Sequence, residues 1–168
     1  MQLENIDKAR YSKHFKLVFV AVVAALLVIS ISTSSLMIQL FTDGEGSHFW
    51  LNLAGVVIAA LITGSFLRKF RQHPFMYEVM YVWDLKQQLN AVNRKQKQLK
   101  EAAEQGDAVA MQALNFCYQG SRQLFLLDDN TLTMEELERW MDELQTLADD
   151  HQVDLDLEQY EPSVLSNY

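Results

Sequence analysis

Two long runs without a charged residue dominate the first seventy positions. Leu17–Thr42 has 26 such residues and Phe49–Leu67 has 19. A helix rises about 1.5 Å per residue and the hydrocarbon core of a bilayer is about 30 Å thick, so about 20 apolar residues cross it. Both runs are long enough, whereas a helix on the surface of a soluble protein normally carries a polar stripe. The pattern predicts a transmembrane hairpin over residues 17–67, with spans at about 17–40 and 49–67. The break Asp43-Gly44-Glu45-Gly46-Ser47-His48 supplies an outer loop at 41–48.

Beyond the hairpin the pattern becomes amphipathic. Pro74 disfavours helix at His73 and suits the first turn of a new one. From Phe75 to about Gln105, Val82, Leu85, Leu89, Val92, Gln96, Leu99 and Ala103 alternate steps of three and four. This is a heptad seam with one polar position. Two uses of Val82, Leu85, Leu89, Val92 and Leu99 stay open: packing on neighbouring helices, or a coiled coil with a second copy. Gly106 closes the long helix and Asp107 caps the next. That helix carries Ala110, Leu114, Cys117, Tyr118 and Leu124 at helical spacing, and Gly120 is expected to end or interrupt it. Asp128-Asp129-Asn130 is a turn cluster. Thr133 with Glu136 reads as a capping box for a third helix to about Asp150. Its apolar stripe is Met134, Leu137, Met141, Leu144 and Leu147/Ala148, flanked by Trp140.

The expected fold class is all-α, a two-helix transmembrane hairpin followed by a small cytoplasmic domain of about three helices. The expected divisions are a basic arm at 1–16, the hairpin at 17–67, the helical domain at 68–151 and an acidic, disordered tail at 152–168. The arm is either a short amphipathic helix on the membrane or a mobile charged segment. The basic n-region of the first run resembles a signal peptide. Its apolar stretch is too long for an h-region of about 7–15 residues, and no Ala-x-Ala site follows.

Charge sets the expected orientation. Lys8, Arg10, Lys13 and Lys16 precede the first run, and Arg68, Lys69 and Arg71 follow the second. The loop has only Asp43 and Glu45. The positive-inside rule puts both termini in the cytoplasm. The net charge of −8 divides unevenly, +4 over residues 1–127 and −12 over residues 128–168. A basic portion beside an anionic leaflet and an acidic end away from it is the arrangement that lipid headgroups favour. The acidic end argues against nucleic acid as its partner.

Small residues recur at four-residue spacing within the runs: Ala21 and Ala25, Gly55 and Ala59, Ala60 and Gly64. Such spacing lets helix backbones approach closely, within the hairpin or across a dimer. No ionisable side chain interrupts either run, which argues against a transporter or channel acting alone.

Candidate chemistry is sparse. Cys117, the one cysteine, falls on the apolar face of its helix with no activating neighbour in sequence, and no intramolecular disulfide can form. His14, His48, His73 and His151 lie in four separate segments. A calcium loop counted from Asp128 fails, with Leu132 at position five and Arg139 at position twelve. The motifs GxSxG, HExxH and CxxC and a glycine-rich phosphate loop are absent. We therefore expect no enzyme, no catalytic or metal residues and no cofactor.

Two resemblances add to this reading. Glu101–Met111 with Leu114, Tyr118 and Gly120 resembles one Sel1-like or tetratricopeptide helical repeat, which implies a helix–turn–helix. A solenoid needs about three copies. The strings NIDKARYSKH, HPFMYEVMYVWDLKQQLN, AAEQGDAVAM and NFCYQGSRQLFLLDDNTLT, with the two apolar runs, resemble a family of small two-span inner-membrane proteins of unknown function. That resemblance implies the cytoplasmic membrane of a Gram-negative-type cell and carries no activity. The leading expectation is a membrane-anchored interaction or scaffold module. The alternative is an accessory subunit of a transport or envelope complex, bound through the hairpin. Expected partners are the lipid bilayer, a protein of unknown identity and, as an open option, a second copy of the chain.

Overall fold

A computed structural model describes residues 2–42, 46–130 and 133–168. It is helical with no strand among these residues. The acids Asp43 and Glu45 of the expected outer loop lie outside them. The chain divides into two compact units. One is Ala9–Val79, and the other joins the residues up to Lys8 with Met80–Tyr168.

The first unit is built on α1 (Lys8–Phe41) and α2 (Phe49–Phe70). Both are long and apolar enough to cross a membrane. α1 begins within the expected arm, so its 34 residues extend about 51 Å, more than the apolar thickness requires. Its basic first turns are helical, not a separate segment. Most large apolar side chains on both helices are exposed, among them Val20 (65%), Ile31 (64%) and Leu61 (66%). An uninterrupted apolar surface of this extent is unfavourable in water and suits lipid.

The two helices come close together at Gly55. A Cβ there would stand 2.1 Å from the Ser34 Oγ and 3.0 Å from the Ser30 carbonyl oxygen. Gly55, Ala59 and Thr63, spaced by four, are buried on α2, as is Ser34 on α1. After α2, a 3-10 turn (Pro74–Met76) is capped by His73, whose Nδ1 accepts from the Phe75 amide at 3.2 Å.

The second unit is a helical core around α5. It contains most of α3 (Tyr77–Asn93), with α4 (Gln96–Glu104), α5 (Ala108–Leu127) and α6 (Met134–Asp150). α4, α6 and a C-terminal 3-10 turn pack on α5. Every residue of α5 from Ala110 to Tyr118 is buried. Asp107 caps α5 as expected, its Oδ1 accepting from the amides of Val109 (2.9 Å) and Ala110 (3.2 Å). Gly106 before it has φ +87°, the left-handed conformation that closes α4.

Several sequence expectations need correction here. The 75–105 helix is two helices, because the chain turns at Arg94–Lys95. The Lys95 amide bonds the Val92 carbonyl at 2.9 Å, and α4 then restarts at Gln96. The heptad seam therefore never runs continuously. Val82, Leu85, Leu89, Val92 and Leu99 are all buried inside the chain, 4% exposed or less, so a second copy cannot use them as a coiled-coil face. Gly120 does not end α5; it lies within it. A Cβ at Gly120 would stand 2.9 Å from the Leu89 Cδ2 and 3.2 Å from the Leu85 Cδ1, so the missing side chain lets α3 lie against α5. Thr133 is the N-cap of α6 but its side chain makes no cap hydrogen bond.

Residues 152–168, expected to be disordered, form two 3-10 turns (Leu157–Gln159 and Pro162–Asn167) on the helical core. The N-terminal residues also belong to this core. Ile6 is buried, the Glu4 amide donates to the Tyr81 hydroxyl at 2.8 Å, and Gln123 Nε2 donates to the Glu4 carbonyl. Lys8 pairs with Asp129.

Candidate functional site

The helical unit offers one aromatic cleft in which several candidate residues meet. Trp140 of α6 is half-buried beside Tyr118 of α5, ring centroids 6.0 Å apart, and the Lys100 ammonium of α4 lies 5.0 Å from the indole centroid. Periodicity explains the placement. Trp140 flanks the Leu137/Leu144 stripe that faces α5, so its ring reaches the edge of the core and stays partly wet. A cavity of about 330 Å³ opens on one side, lined by Asn93, Gln96, Cys117, Ser121 and Glu136 among others. A second, of about 320 Å³, opens on the other side and includes Lys100, Glu104, Glu143 and Leu147. Tyr118 and Trp140 line both.

The thiol and the phenol in this cleft are both held in their protonated forms. Cys117 is 2% exposed and its Sγ donates to Asn93 Oδ1 at 3.3 Å. Burial pushes the thiol up to about 11, against a smaller opposing effect of Ser121. It is protonated at neutral pH, and the thiolate is the nucleophilic form. Burial likewise pushes the Tyr118 phenol up to about 12, partly opposed by Gln96. What remains is an indole face, a cation, amides and exposed carboxylates around an apolar floor, a set suited to holding a mixed apolar and charged surface.

A second cluster ties the C-terminal segment to α5. Gln112, 5% exposed, donates from Nε2 to the Asp154 carbonyl at 2.6 Å, and its Oε1 accepts from the Asp156 amide at 2.9 Å. Tyr160 stacks on Phe116 at 4.3 Å and 21°. The Tyr168 hydroxyl donates to Asp107 Oδ2 at 2.7 Å. Burial opposes the Asp107 charge, but the Tyr168 hydroxyl and the Ala110 and Val109 amides outweigh it and hold the carboxyl below its ordinary value of 3.8. Sequence reasoning missed Gln112. The available signal was a glutamine inside an otherwise apolar helix.

The third cluster lies where α1 begins and α3 starts. Glu78, 3% exposed, accepts from Arg10 Nη2 at 2.9 Å and from His14 Nδ1 at 3.0 Å. The His14 ring lies 4.1 Å from that of Phe75. Burial disfavours the Glu78 charge, but its own amide, His14 and Arg10 together hold the carboxyl below its ordinary value of 4.5. His14 therefore has a defined hydrogen-bond partner 64 positions away, and His73 serves as a cap.

The small residues separate into two sets. Gly55 and Ala59 are buried, and Ala25 is half-buried. Ala21, Ala60 and Gly64 are exposed, and a Cβ at Gly64 would meet nothing within 4 Å. Among the described residues, no three of His, Cys, Asp and Glu come together as a metal site.

No curated protein and no solved structure matches this chain. The sequence does match, over residues 1–165, the family described as "Protein of unknown function (DUF3087)". That match covers the hairpin, the helical core and nearly all of the C-terminal segment, and the chain therefore belongs to the DUF3087 family.

Proposed function

We propose that the protein is a membrane-tethered interaction module. The two apolar helices anchor it in the cytoplasmic membrane of a bacterial cell, with both termini in the cytoplasm, and the helical domain presents its aromatic cleft to a protein partner. The observation that carries this reading is Trp140. It is a large, half-buried aromatic between two openings, with Lys100 on one side and the carboxylates Glu136 and Glu143 at the rims. Trp is enriched at the anchoring centres of interfaces, and surrounding charges select the partner. The topology has support from the N-terminal residues. Glu4 is bonded to Tyr81 and Gln123, so the chain before α1 and the domain after α2 belong on one side of any membrane that the hairpin crosses. The role is non-enzymatic on this reading, consistent with the raised Cys117 thiol.

The test is site-specific photocrosslinking in cells from position 136 or 143, with and without Trp140→Ala. A discrete partner that is lost on removing the indole supports the reading. Uniform, indole-independent adducts overturn it.

One observation favours a second reading, an accessory subunit bound through the hairpin. Ala60 and Gly64 form a small-residue face on α2 that the chain itself leaves uncovered. Gly64→Leu then releases the protein from a larger membrane complex while the helical domain stays folded. Unchanged migration on native gels counts against it.

A further inference from the structure

We infer that the basic end of the hairpin is a binding site for an anionic phospholipid. This rests on the reading of α1 and α2 as membrane spans.

Within Ala9–Val79 the sequence has three acids. Asp43 and Glu45 stand in sequence between the two apolar runs and lie outside the described residues, and the third is Glu78. Glu78 is consumed internally by Arg10 and His14. The same bonds, with the His14–Phe75 ring contact at 4.1 Å, hold the start of α1 against the segment that follows α2. Lys13 and Lys16 on α1, and Arg68 and Lys69 on α2, are therefore brought to one end. All four are exposed, and none has an ion-pair partner among the described residues. Four uncompensated cations at the edge of an apolar hairpin attract a phosphodiester.

The neighbouring side chains point to a lipid, not to free phosphate. Phe15 and Phe19 stack on α1 with centroids 6.3 Å apart, and Phe66 and Phe70 stack on α2 at 4.4 Å. All four rings are exposed, from 39% to 60%. Each pair lies within a helical turn of the cations on its own helix, giving a headgroup and its acyl chains complementary surfaces side by side. The long aliphatic stems of Lys13 and Lys16 also allow their ammonium groups to reach the headgroup level from a helix that continues into the apolar layer.

The experiment uses the full-length protein released from micelles that contain equal amounts of phosphatidylglycerol and phosphatidylcholine, with bound lipids counted by native mass spectrometry. A headgroup contact from one basic side chain corresponds to about fivefold in binding, so phosphatidylglycerol should be retained over phosphatidylcholine by about fivefold or more. The quadruple variant Lys13→Gln, Lys16→Gln, Arg68→Gln, Lys69→Gln should bring the ratio close to one. A matched variant with Gln at Arg94, Lys95, Lys97 and Arg122 should keep it, as should the charge-preserving Lys13→Arg, Lys16→Arg, Lys69→Arg variant. Equal retention of the two lipids by the wild-type protein overturns the proposal. So does unchanged selectivity in the quadruple variant, or equal loss in the matched one. Displacement by soluble glycerol phosphate as effective as by short-chain phosphatidylglycerol also overturns it, because the acyl chains then contribute nothing. Alkaline carbonate extraction separates this from the parent reading. A protein released by carbonate removes the anchor itself. A protein that stays in the membrane without lipid selectivity removes this site alone.

Discussion

α2 and α5 are similar helices on first inspection, 22 and 20 residues long and both rich in apolar side chains. Their surroundings are opposite. α2 keeps Trp50 and Leu61 largely exposed and buries little beyond Gly55, Ala59 and Thr63. α5 buries Ala110 to Tyr118 without a break. The difference lies in the polar residues and in the neighbours they recruit. α5 carries Gln112, which bonds the C-terminal segment, and Gln123, which bonds the N-terminal one. α2 has no comparable side chain between Asn52 and Arg68 that ties another segment to it. The polar side chains of α5 hold other segments against it, whereas the apolar surface of α2 stays largely uncovered by this chain.

The largest expected effect breaks the coat of α5. Phe116→Ala removes a fully buried ring that also supports Tyr160. Large-to-small changes of this kind cost about 3–5 kcal/mol. The melting of the helical domain should fall sharply while the helical signal of the detergent-embedded hairpin persists. Loss of both signals together would show that the two regions do not separate energetically.

Gln112→Leu keeps the volume and deletes its three hydrogen bonds to the C-terminal segment, with Asp154, Asp156 and Gln159. It leaves the Asp154 carbonyl and Asp156 amide to find water, at about 1–3 kcal/mol. Limited proteolysis should cut within residues 152–168 well before the helical core. A protease-resistant tail would mean that the Tyr160 and Tyr168 contacts suffice alone.

The glycines sharpen the comparison further. Gly55→Ala places a methyl against Ser34 and Gly120→Ala places one against Leu89. Each is expected to cost about 1–3 kcal/mol in overpacking, offset by up to about 1 kcal/mol of helix propensity. Gly120→Ala should suffer less, since its obstacle is the end of a leucine side chain, while at Gly55 a backbone carbonyl also stands close. Gly64→Ala meets open space, so the helix-propensity gain is unopposed and the change should be neutral to stabilising, by up to about 1 kcal/mol. Detergent-titration unfolding of the three variants checks the order.

Asp107→Ala removes the cap of α5 for about 1 kcal/mol. The folded-state carboxyl sits below 3.8, so the stability it adds is fully present above that value. It is lost as pH falls from there through the lower folded-state value. The wild-type advantage over Asp107→Ala should thus be constant near neutrality and shrink on acidification below about pH 4. An advantage that persists at pH 2 would assign the effect to packing of Tyr168 instead. The smallest effect belongs to Lys97→Ala, which breaks an exposed i,i+4 pair with Glu101 worth about 0.3–0.5 kcal/mol.

Much of this was legible in the residues. Two uncharged runs and their flanking cations announced the apolar helices, because backbone desolvation leaves few structures for such runs. Asp107 announced a cap, since an oxygen two or three residues ahead of unsatisfied amides is a local device. The seam residues 82–99 were legible as buried but not as buried against what. Heptad spacing describes one face of a helix and carries no information about which helix covers it. Whether Gly120 would stop α5 or let α3 pack on it had the same ambiguity, for a glycine is compatible with both.

The sequence by itself determined the helical class, the two apolar helices, the charge asymmetry and the Asp107 cap, all of which follow from interactions spanning a few residues. Only the tertiary structure decided the turn at Arg94–Lys95 and the internal use of the seam. It also decided the docking of residues 152–168 on Gln112 and Phe116, and the pairing of His14 with Glu78. Each of these depends on partners tens of positions apart, whose loop-closure entropy is recovered only when the whole core forms. That is why an acidic, proline-broken tail could read as disordered in one dimension and pack in three.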